Sequence, residues 1–284
     1  MSTQSLLDRT PPVADHRLMY GTAPQQFGEL WIPVSTPSDA RSSGRWPLLV
    51  FVHGGWWKAE YDLSYANFLC AAMKALGVAV WSIEYRRVGD VGGGWPGTMQ
   101  DVAAGMDHVA KLAEAFPIDT ARIIVAGHSA GGQLAFWLAA RHHIPHASVL
   151  AQPQPNLALK GVVGLAGAVD LRLTIELGGL FQFTSGGPAV KALMGGSPTQ
   201  VPDRYSAADP GELLPLGVAQ ILVQGGEDDQ IPPTLPERWA QAAKRQGDAV
   251  EVKRVAGADH FDVVDPESKA WPVSRDAMLK LLHA

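Results

Sequence analysis

A serine lies in the five-residue stretch Gly127-His128-Ser129-Ala130-Gly131, which has the spacing G-x-S-x-G. Residues 122–126, just before it, are rich in β-branched side chains, and residues 132–140, just after it, are typical of a helix. A serine on a tight turn from strand to helix is lifted clear of the sheet, and its small neighbours leave room for that turn. The sequence therefore predicts that Ser129 is a nucleophile.

A serine hydroxyl is a weak nucleophile at neutral pH, so it needs a base, and the base needs an orienting acid. Residues 219–225 have a buried-strand pattern and lead into a loop that contains Asp228. Residues 250–255 alternate like a strand and lead into a loop that contains His260. Both loops begin at the carboxyl ends of strands, where ligands bind in open α/β sheets. Ser129, Asp228 and His260 can therefore converge there, although they lie far apart in sequence.

A third loop, His53-Gly54-Gly55-Trp56-Trp57, follows the strand pattern of residues 46–52. Acyl transfer places negative charge on a carbonyl oxygen, and each backbone N–H aimed at that oxygen is worth about 3–4 kcal/mol. We expect the donors to be the amides of Gly55 or Trp56 together with that of Ala130. The alternative is an ordinary glycine-rich loop. His53 is expected to brace the loop rather than to transfer protons.

With these motifs the chain resembles the α/β-hydrolase superfamily. Within it, the chain is similar to the esterase and lipase branch that includes hormone-sensitive-lipase-like carboxylesterases and kynurenine formamidases. The resemblance covers about residues 25–283. Lipase-like members usually carry three glycines after the histidine and often an acidic residue before the serine, where this chain has Trp56 and His128. Its motifs are closer to the formamidase and general-esterase pattern.

The resemblance also separates two adjacent carboxylates. In the family pattern the acid stands three residues after a glycine and three before an aliphatic residue that precedes proline. Asp228 fits this pattern, with Gly225, Ile231 and Pro232 at the matching positions. Asp229 is expected to cap the turn or to bond the loop backbone.

The order of elements along the chain predicts a single α/β domain over residues 1–284, with a mostly parallel sheet and helices on both faces. A first strand or hairpin is expected near residues 26–33, with six more strands near 47–52, 78–84, 122–127, 161–167, 219–224 and 250–255. The pairs Thr98 and Asp101, and Thr234 and Glu237, have capping-box spacing at helix starts.

Residues 171–216 are rich in glycine and proline and show no clear strand–helix unit. We expect an irregular lid over the serine there, because long irregular insertions are usually functional. Phe181 and Phe183, with Trp56 and His128, are predicted to contact the substrate. The alternative is that the apolar residues of this segment, Leu177, Leu193 and Met194 among them, are buried in the core.

Composition limits the other classes of function. The net charge of −5, without a basic cluster, speaks against a nucleic-acid partner. The one cysteine, Cys70, is expected to pack in the core, and a chain without disulfides suits a reducing compartment such as the cytoplasm. The N-terminus lacks the apolar core of a signal peptide, and no apolar run reaches about 18 residues, so no membrane span is expected.

The sequence thus predicts a serine hydrolase that cleaves small carboxylic esters through an acyl-enzyme intermediate. No metal or organic cofactor is expected, because His142, His143 and His146 do not have a ligand spacing. An aryl formamidase is the alternative enzyme, and a ligand-binding module without turnover is the alternative outside enzymes. A homodimer is left open.

Overall fold

One sheet organises the chain. The computed structural model describes residues 4–34, 44–155, 157–180 and 185–284. Within these residues, eight strands form the sheet: β1 His16–Met19, β2 Phe27–Trp31, β3 Trp46–Val52, β4 Ala79–Ile83, β5 Ile118–His128, β6 Leu159–Leu165, β7 Ala219–Gly225 and β8 Val250–Val255. Their order is β1-β2-β4-β3-β5-β6-β7-β8, and only the β1–β2 and β2–β4 pairs are antiparallel. The carboxyl ends of β3 to β8 therefore lie at one edge of the sheet.

Helices connect the strands. The α-helices of the described part are α1 Gln4–Leu7, α2 Asn67–Ala75, α3 Gly97–Asp107, α4 Val109–Ala115, α5 Ala130–Ala140, α6 Leu171–Leu180, α7 Gly186–Met194, α8 Pro202–Ala208, α9 Leu235–Arg245 and α10 Trp271–Leu282. Short 3₁₀ helices span Leu63–Ala66, Arg141–His143 and Pro210–Leu213. Among the helices described, none is both long and apolar enough to cross a bilayer.

Alternating side chains of β3 show how the core divides. Leu48 and Val50 pack into one apolar cluster, which contains α3, α5 and α9, and Leu49 and Phe51 pack into the cluster on the opposite face, which contains α2 and α10. All four side chains are completely buried. A parallel strand covered by helices on both faces is expected to be apolar throughout, as this one is.

The predicted fold class is confirmed: the chain has a mostly parallel central sheet with helices on both faces. The first predicted strand near residues 26–33 corresponds to β2, and the other six lie within a few residues of β3 to β8. The sequence did not predict β1, because this four-residue strand is mostly exposed and has no apolar pattern.

Neither predicted capping box forms. The helix α3 begins one residue before Thr98, whose hydroxyl instead donates to Arg86 O at 2.6 Å, while Asp101 pairs with the Arg86 guanidinium at 2.6 Å. Thr234 precedes α9 without a side-chain cap, and Glu237 pairs with Arg254. In each case a partner from a distant segment replaces the local one.

The prediction that residues 171–216 are irregular is wrong. The described part of this segment contains α6, α7, α8 and the 3₁₀ helix Pro210–Leu213. Leu177, Leu193 and Met194 are buried in the core, as the alternative interpretation expected. Such short helices, rich in glycine and proline, depend on tertiary packing, which a local pattern does not reveal.

Candidate active site

Ser129 lies in the turn between β5 and α5. Its backbone has φ 54° and ψ −122°, a conformation that costs a residue with a side chain about 1–3 kcal/mol. Three backbone hydrogen bonds hold it there: Ser129 N donates to Leu165 O at 2.9 Å, and Ser129 O accepts from the amides of Gly132 and Ala168 at 2.9 and 3.0 Å. The surrounding chain therefore fixes the strained turn.

The two glycines of the G-x-S-x-G stretch are required by close contacts. A Cβ atom on Gly127 would lie 2.0 Å from the carbonyl oxygen of Gly131, and one on Gly131 would lie 2.1 Å from the carbonyl oxygen of Val52. A side chain at Gly127 would push the start of α5 away from β5, and one at Gly131 would push it away from the end of β3. The spacing of the motif thus reports a steric requirement at this site.

The structure brings Asp228 and His260 together. Asp228 follows β7 and His260 follows β8, and the Oδ2 atom of Asp228 lies 2.8 Å from the Nδ1 atom of His260. Oδ2 also accepts from Gln224 Nε2 at 2.8 Å, while Oδ1 accepts from the amides of Gln230 and Ile231 at 2.8 and 2.9 Å. Both side chains are almost fully buried.

The charge state of Asp228 follows from these contacts. Burial raises the pKa of its carboxyl, but the attraction to His260 and the hydrogen bonds from the His260 ring and the loop amides outweigh burial and hold the pKa below its usual range. The ionised carboxylate accepts a hydrogen bond from the N–H at His260 Nδ1. With a proton on Nδ1, only the Nε2 atom of the ring can act as an acceptor, and it can do so when it carries no proton.

Asp229 is exposed and does not have the loop-bonding role expected from the sequence. The Oδ1 atom of Asp228 itself accepts the two loop amides, so one residue both closes the turn and contacts the histidine. A single carboxylate has enough lone pairs to bond both the loop amides and the histidine. The sequence pattern, which offered two adjacent carboxylates, could not show that one of them does both.

The loop after β3 runs against the serine. A Cβ atom on Gly54 would lie 2.8 Å from Ser129 Cβ, so the backbone of this loop and the nucleophile are in contact. Gly55, Trp56 and Trp57 have φ values of 109°, 50° and 55°. Such consecutive positive values turn the backbone sharply. Gly55 and Trp56 line the same cavity as Ser129.

Ala130, the third predicted amide donor, is the first residue of α5. The amides of the first turn of a helix have no partner within the helix, and the helix dipole favours negative charge near them. The amide of Ala130 therefore belongs to the first turn of α5, directly after Ser129 in the chain.

His53 and Glu84 brace the loop after β3 through buried hydrogen bonds. The imidazole of His53 is buried, with Nδ1 2.8 Å from Gly54 O and Nε2 3.0 Å from Glu84 Oε1. Glu84 also accepts from the amide of Leu63 at 3.1 Å and that of Tyr85 at 2.9 Å. These contacts agree with the bracing role expected for His53.

A cavity of about 340 Å³ opens beside Ser129 and His260. Its wall is largely aromatic, with Trp56, Tyr61 and Phe261 in contact with the space. The remaining lining residues are Leu7, Gly55, Lys58, Tyr65, His128, Ser185 and Gln230. Within the described ranges, no group of three or more His, Cys, Asp or Glu residues could hold a metal ion.

The predicted substrate contacts have different outcomes. Trp56 lines the cavity, and Gly186 of α7 packs near its ring, so the segment 171–216 reaches the cavity wall at this point. His128 also lines the cavity, but both of its ring nitrogens already have hydrogen-bond partners within the protein. Phe181 and Phe183 lie outside the described residues.

Leu7 is a lining residue that sequence reasoning missed. The sequence showed no apolar core near the N-terminus, yet in the N-terminal arm, residues 4–15, Leu6 of α1 is buried in the core and Leu7 lines the cavity. Arg9 anchors the arm through Asp265 at 3.0 Å and lies over the Phe68 ring. The adjacent leucines were the only sequence signal, too short to indicate a helix.

A strained serine turn between strand and helix, with an Asp–His pair after the last two strands of a mostly parallel sheet, defines an α/β-hydrolase. Comparison with known proteins places the chain in the esterase and lipase branch of that fold. The chain belongs to the BD-FAE family, whose family model matches residues 34–241.

Individual relatives agree with this placement. Esterase LipC of Mycobacterium tuberculosis (strain ATCC 25618 / H37Rv) is 25% identical over 276 residues, which cover 91% of this chain and 65% of LipC, so the chain spans less than two thirds of that relative. The kynurenine formamidase-like hydrolase fscH of Fusarium equiseti is 27% identical over 72% of each chain. The crystal structure of Esterase B from Lactobacillus rhamnosis superimposes with a TM-score of 0.78 at 19% identity, covering 99% of this chain and 88% of that chain.

Proposed function

We propose that the protein is a serine esterase in which Ser129, His260 and Asp228 form a catalytic triad. The observation that carries the proposal is the 2.8 Å hydrogen bond between His260 Nδ1 and Asp228 Oδ2, in a pair whose histidine lines the same cavity as Ser129. The name of Esterase LipC supports ester hydrolysis as the reaction.

In the proposed reaction Ser129 Oγ attacks the ester carbonyl carbon while His260 Nε2 takes the hydroxyl proton. Asp228 keeps the proton on Nδ1 and stabilises the imidazolium that forms. The tetrahedral intermediate collapses, and the alcohol leaves with the proton from Nε2. Water then attacks the acyl-enzyme with His260 as base, which releases the acid and restores Ser129.

The negative oxygen of each tetrahedral intermediate is proposed to bind the amides of Gly55 or Trp56 and of Ala130. The positive φ values of Gly55 and Trp56 and the position of Ala130 at a helix start support this assignment. The cavity volume of about 340 Å³ and its aromatic wall favour a small ester with an apolar or aromatic part.

A second candidate reaction is the hydrolysis of an aryl formamide. The relative fscH, named a kynurenine formamidase-like hydrolase, favours it. The same triad would act, because an activated amide and an ester both react through attack on a carbonyl carbon.

The test is a panel of p-nitrophenyl esters of increasing acyl length, with N-formylkynurenine alongside, measured on the wild type and on Ser129→Ala. Ser185→Ala is the matched control, because Ser185 also lines the cavity. We expect hydrolysis to be lost only in Ser129→Ala, and paraoxon to add one phosphoryl group at Ser129 by intact and peptide mass. Hydrolysis retained in folded Ser129→Ala would reject the nucleophile. A wild type that is folded but neither turns over nor takes up paraoxon would indicate a non-catalytic binding module.

A further inference from the structure

Three hydrogen bonds in series connect four residues at the wall of the cavity. The amide of Gly54 donates to the Tyr65 hydroxyl at 2.7 Å, and that hydroxyl lies 2.7 Å from His128 Nδ1. On the other side of the ring, His128 Nε2 lies 3.0 Å from the carbonyl oxygen of His260. The Tyr65 and His128 residues are 8% and 1% exposed, so water cannot readily replace these partners.

Each of these hydrogen bonds has a single possible direction. The carbonyl of His260 only accepts, so His128 Nε2 must carry a proton. Burial, with repulsion from His260, lowers the pKa of His128 to about 3, so the ring is neutral and Nδ1 is bare. The Tyr65 hydroxyl already accepts from Gly54, and its own proton is donated to His128 Nδ1. The series therefore has one fixed arrangement of protons.

The series joins three loops that the proposed reaction needs. Gly54 precedes the loop amides at Gly55 and Trp56, and its backbone contacts Ser129. His128 is the residue directly before the nucleophile. The carbonyl of His260 belongs to the residue whose ring is the proposed base. A shift at any point of the series would thus change the position of the serine relative to its base or to the amides.

We propose that Tyr65 and His128 are positioning residues, which hold the loop of Gly54, the serine turn and the His260 loop at their working separations. The inference rests on the proposed function and adds to it two residues that act through others. It also gives His128 a role other than substrate contact, because neither ring nitrogen is free for a ligand. Misplacement of reacting groups by about 1 Å can cost roughly 100-fold in rate.

The first test is Tyr65→Phe, which removes only the hydroxyl. Tyr205→Phe is the matched control, because Tyr205 is also buried and donates its hydroxyl to Gly196 O at 3.0 Å, away from the cavity. Active sites are counted by titration to completion with paraoxon, and kcat is expressed per titrated site. We expect kcat of Tyr65→Phe to fall about tenfold or more with KM within about twofold, and Tyr205→Phe to keep the wild-type kcat. Fewer titrated sites with a normal kcat per site would indicate a merely structural role and overturn the proposal.

Substitutions of His128 separate the two halves of the series. The amide oxygen of His128→Asn lies where Nδ1 was and can accept from Tyr65, while the amide nitrogen of His128→Gln reaches the place of Nε2 and can donate to the His260 carbonyl. Both variants are expected to retain more kcat per site than His128→Leu. The double variant Tyr65→Phe with His128→Leu is expected to be no slower than His128→Leu alone, because residues of one unit are not additive. Additive losses would contradict the series.

The outcome for the series is separate from the outcome for the proposed function. Loss of hydrolysis and of paraoxon uptake in Ser129→Ala supports Ser129 as the nucleophile whatever the positioning variants do. With that result in hand, a wild-type kcat per site in Tyr65→Phe or in His128→Leu would overturn the positioning role alone.

Discussion

The Oδ2 atom of Asp228 accepts a hydrogen bond from His260 Nδ1, 2.8 Å away, while its Oδ1 atom accepts hydrogen bonds from two amides of its own loop. The carboxylate of Asp228 therefore fixes both the orientation of the His260 imidazole and the shape of its own loop after β7. This relationship distinguishes Asp228 from its neighbour Asp229, which is exposed.

Replacing Asp228 with asparagine is expected to lower kcat by about 10⁴-fold, because an amide in that position favours the wrong tautomer of His260. Asp229→Asn is the control and is expected to change kcat by less than about threefold, as is usual for an exposed residue outside the site. Both are measured with a p-nitrophenyl ester at saturating substrate. The reverse order of losses would assign the acid to Asp229.

His128 is expected to make stability depend on pH in the acid range. Its pKa is about 3 in the folded protein because of burial and the nearby His260, against 6.5 for an unperturbed histidine. Between these values the unfolded chain binds the additional proton, so the free energy of unfolding falls as pH falls from 6.5 towards 3. At one pKa unit per 1.36 kcal/mol, the loss at pH 5 is about 2 kcal/mol.

Urea unfolding of the wild type and of His128→Asn at pH 7.5 and pH 5 measures this effect. Carboxylates titrate in both proteins, so the difference between the two pH dependences isolates His128. We expect the wild type to lose about 2 kcal/mol more than His128→Asn on going to pH 5. Equal losses in the two proteins would show that His128 is not held neutral by the fold.

Leu7 is expected to limit the size of ester that the cavity accepts. Leu7→Ala enlarges the cavity, and Leu7→Trp fills part of it. One methylene of a bound acyl chain is worth about 1–3 kcal/mol of discrimination between substrates. The ratio of kcat/KM for a bulky acyl ester to that for the acetate is expected to rise about tenfold in Leu7→Ala and to fall in Leu7→Trp. Val13→Ala, at a position of the same arm that is 90% exposed and does not line the cavity, is the control. A ratio that is unchanged in both Leu7 variants would remove the N-terminal arm from the binding site.

Leu193 tests the buried part of the segment 171–216. Its side chain is fully buried in the core, so Leu193→Ala is expected to lower the free energy of unfolding by about 2–5 kcal/mol. The ratios of kcat/KM across the ester panel are expected to stay as in the wild type. Thermal unfolding and the same ester panel check both parts, and a changed ratio without loss of stability would place Leu193 in the cavity wall.

The sequence was sufficient to predict a structure wherever the sequence pattern and the contacts that require it lie in the same short stretch. The serine turn is one example, since the glycines at positions 127 and 131 are required by contacts within the turn and with the adjacent strand. The central parallel strands β3 and β4 are another example, because burial on both faces makes a strand apolar along nearly its whole length. The loops with Asp228 and His260 could likewise be placed, since they follow recognisable strands.

Tertiary structure decided which partner each polar or apolar group takes. Thr98 bonds to Arg86 and Glu237 to Arg254, instead of forming the predicted capping boxes. Leu7 lines the cavity because the distant residue Asp265 anchors the N-terminal arm through Arg9.

The role of His128 is the clearest case. Its position before the serine suggested a substrate contact, but the folded chain brings Tyr65 and the His260 carbonyl to its two nitrogens. Most buried polar atoms have a hydrogen-bond partner, and which partner that is depends on segments that periodicity and spacing do not relate to it.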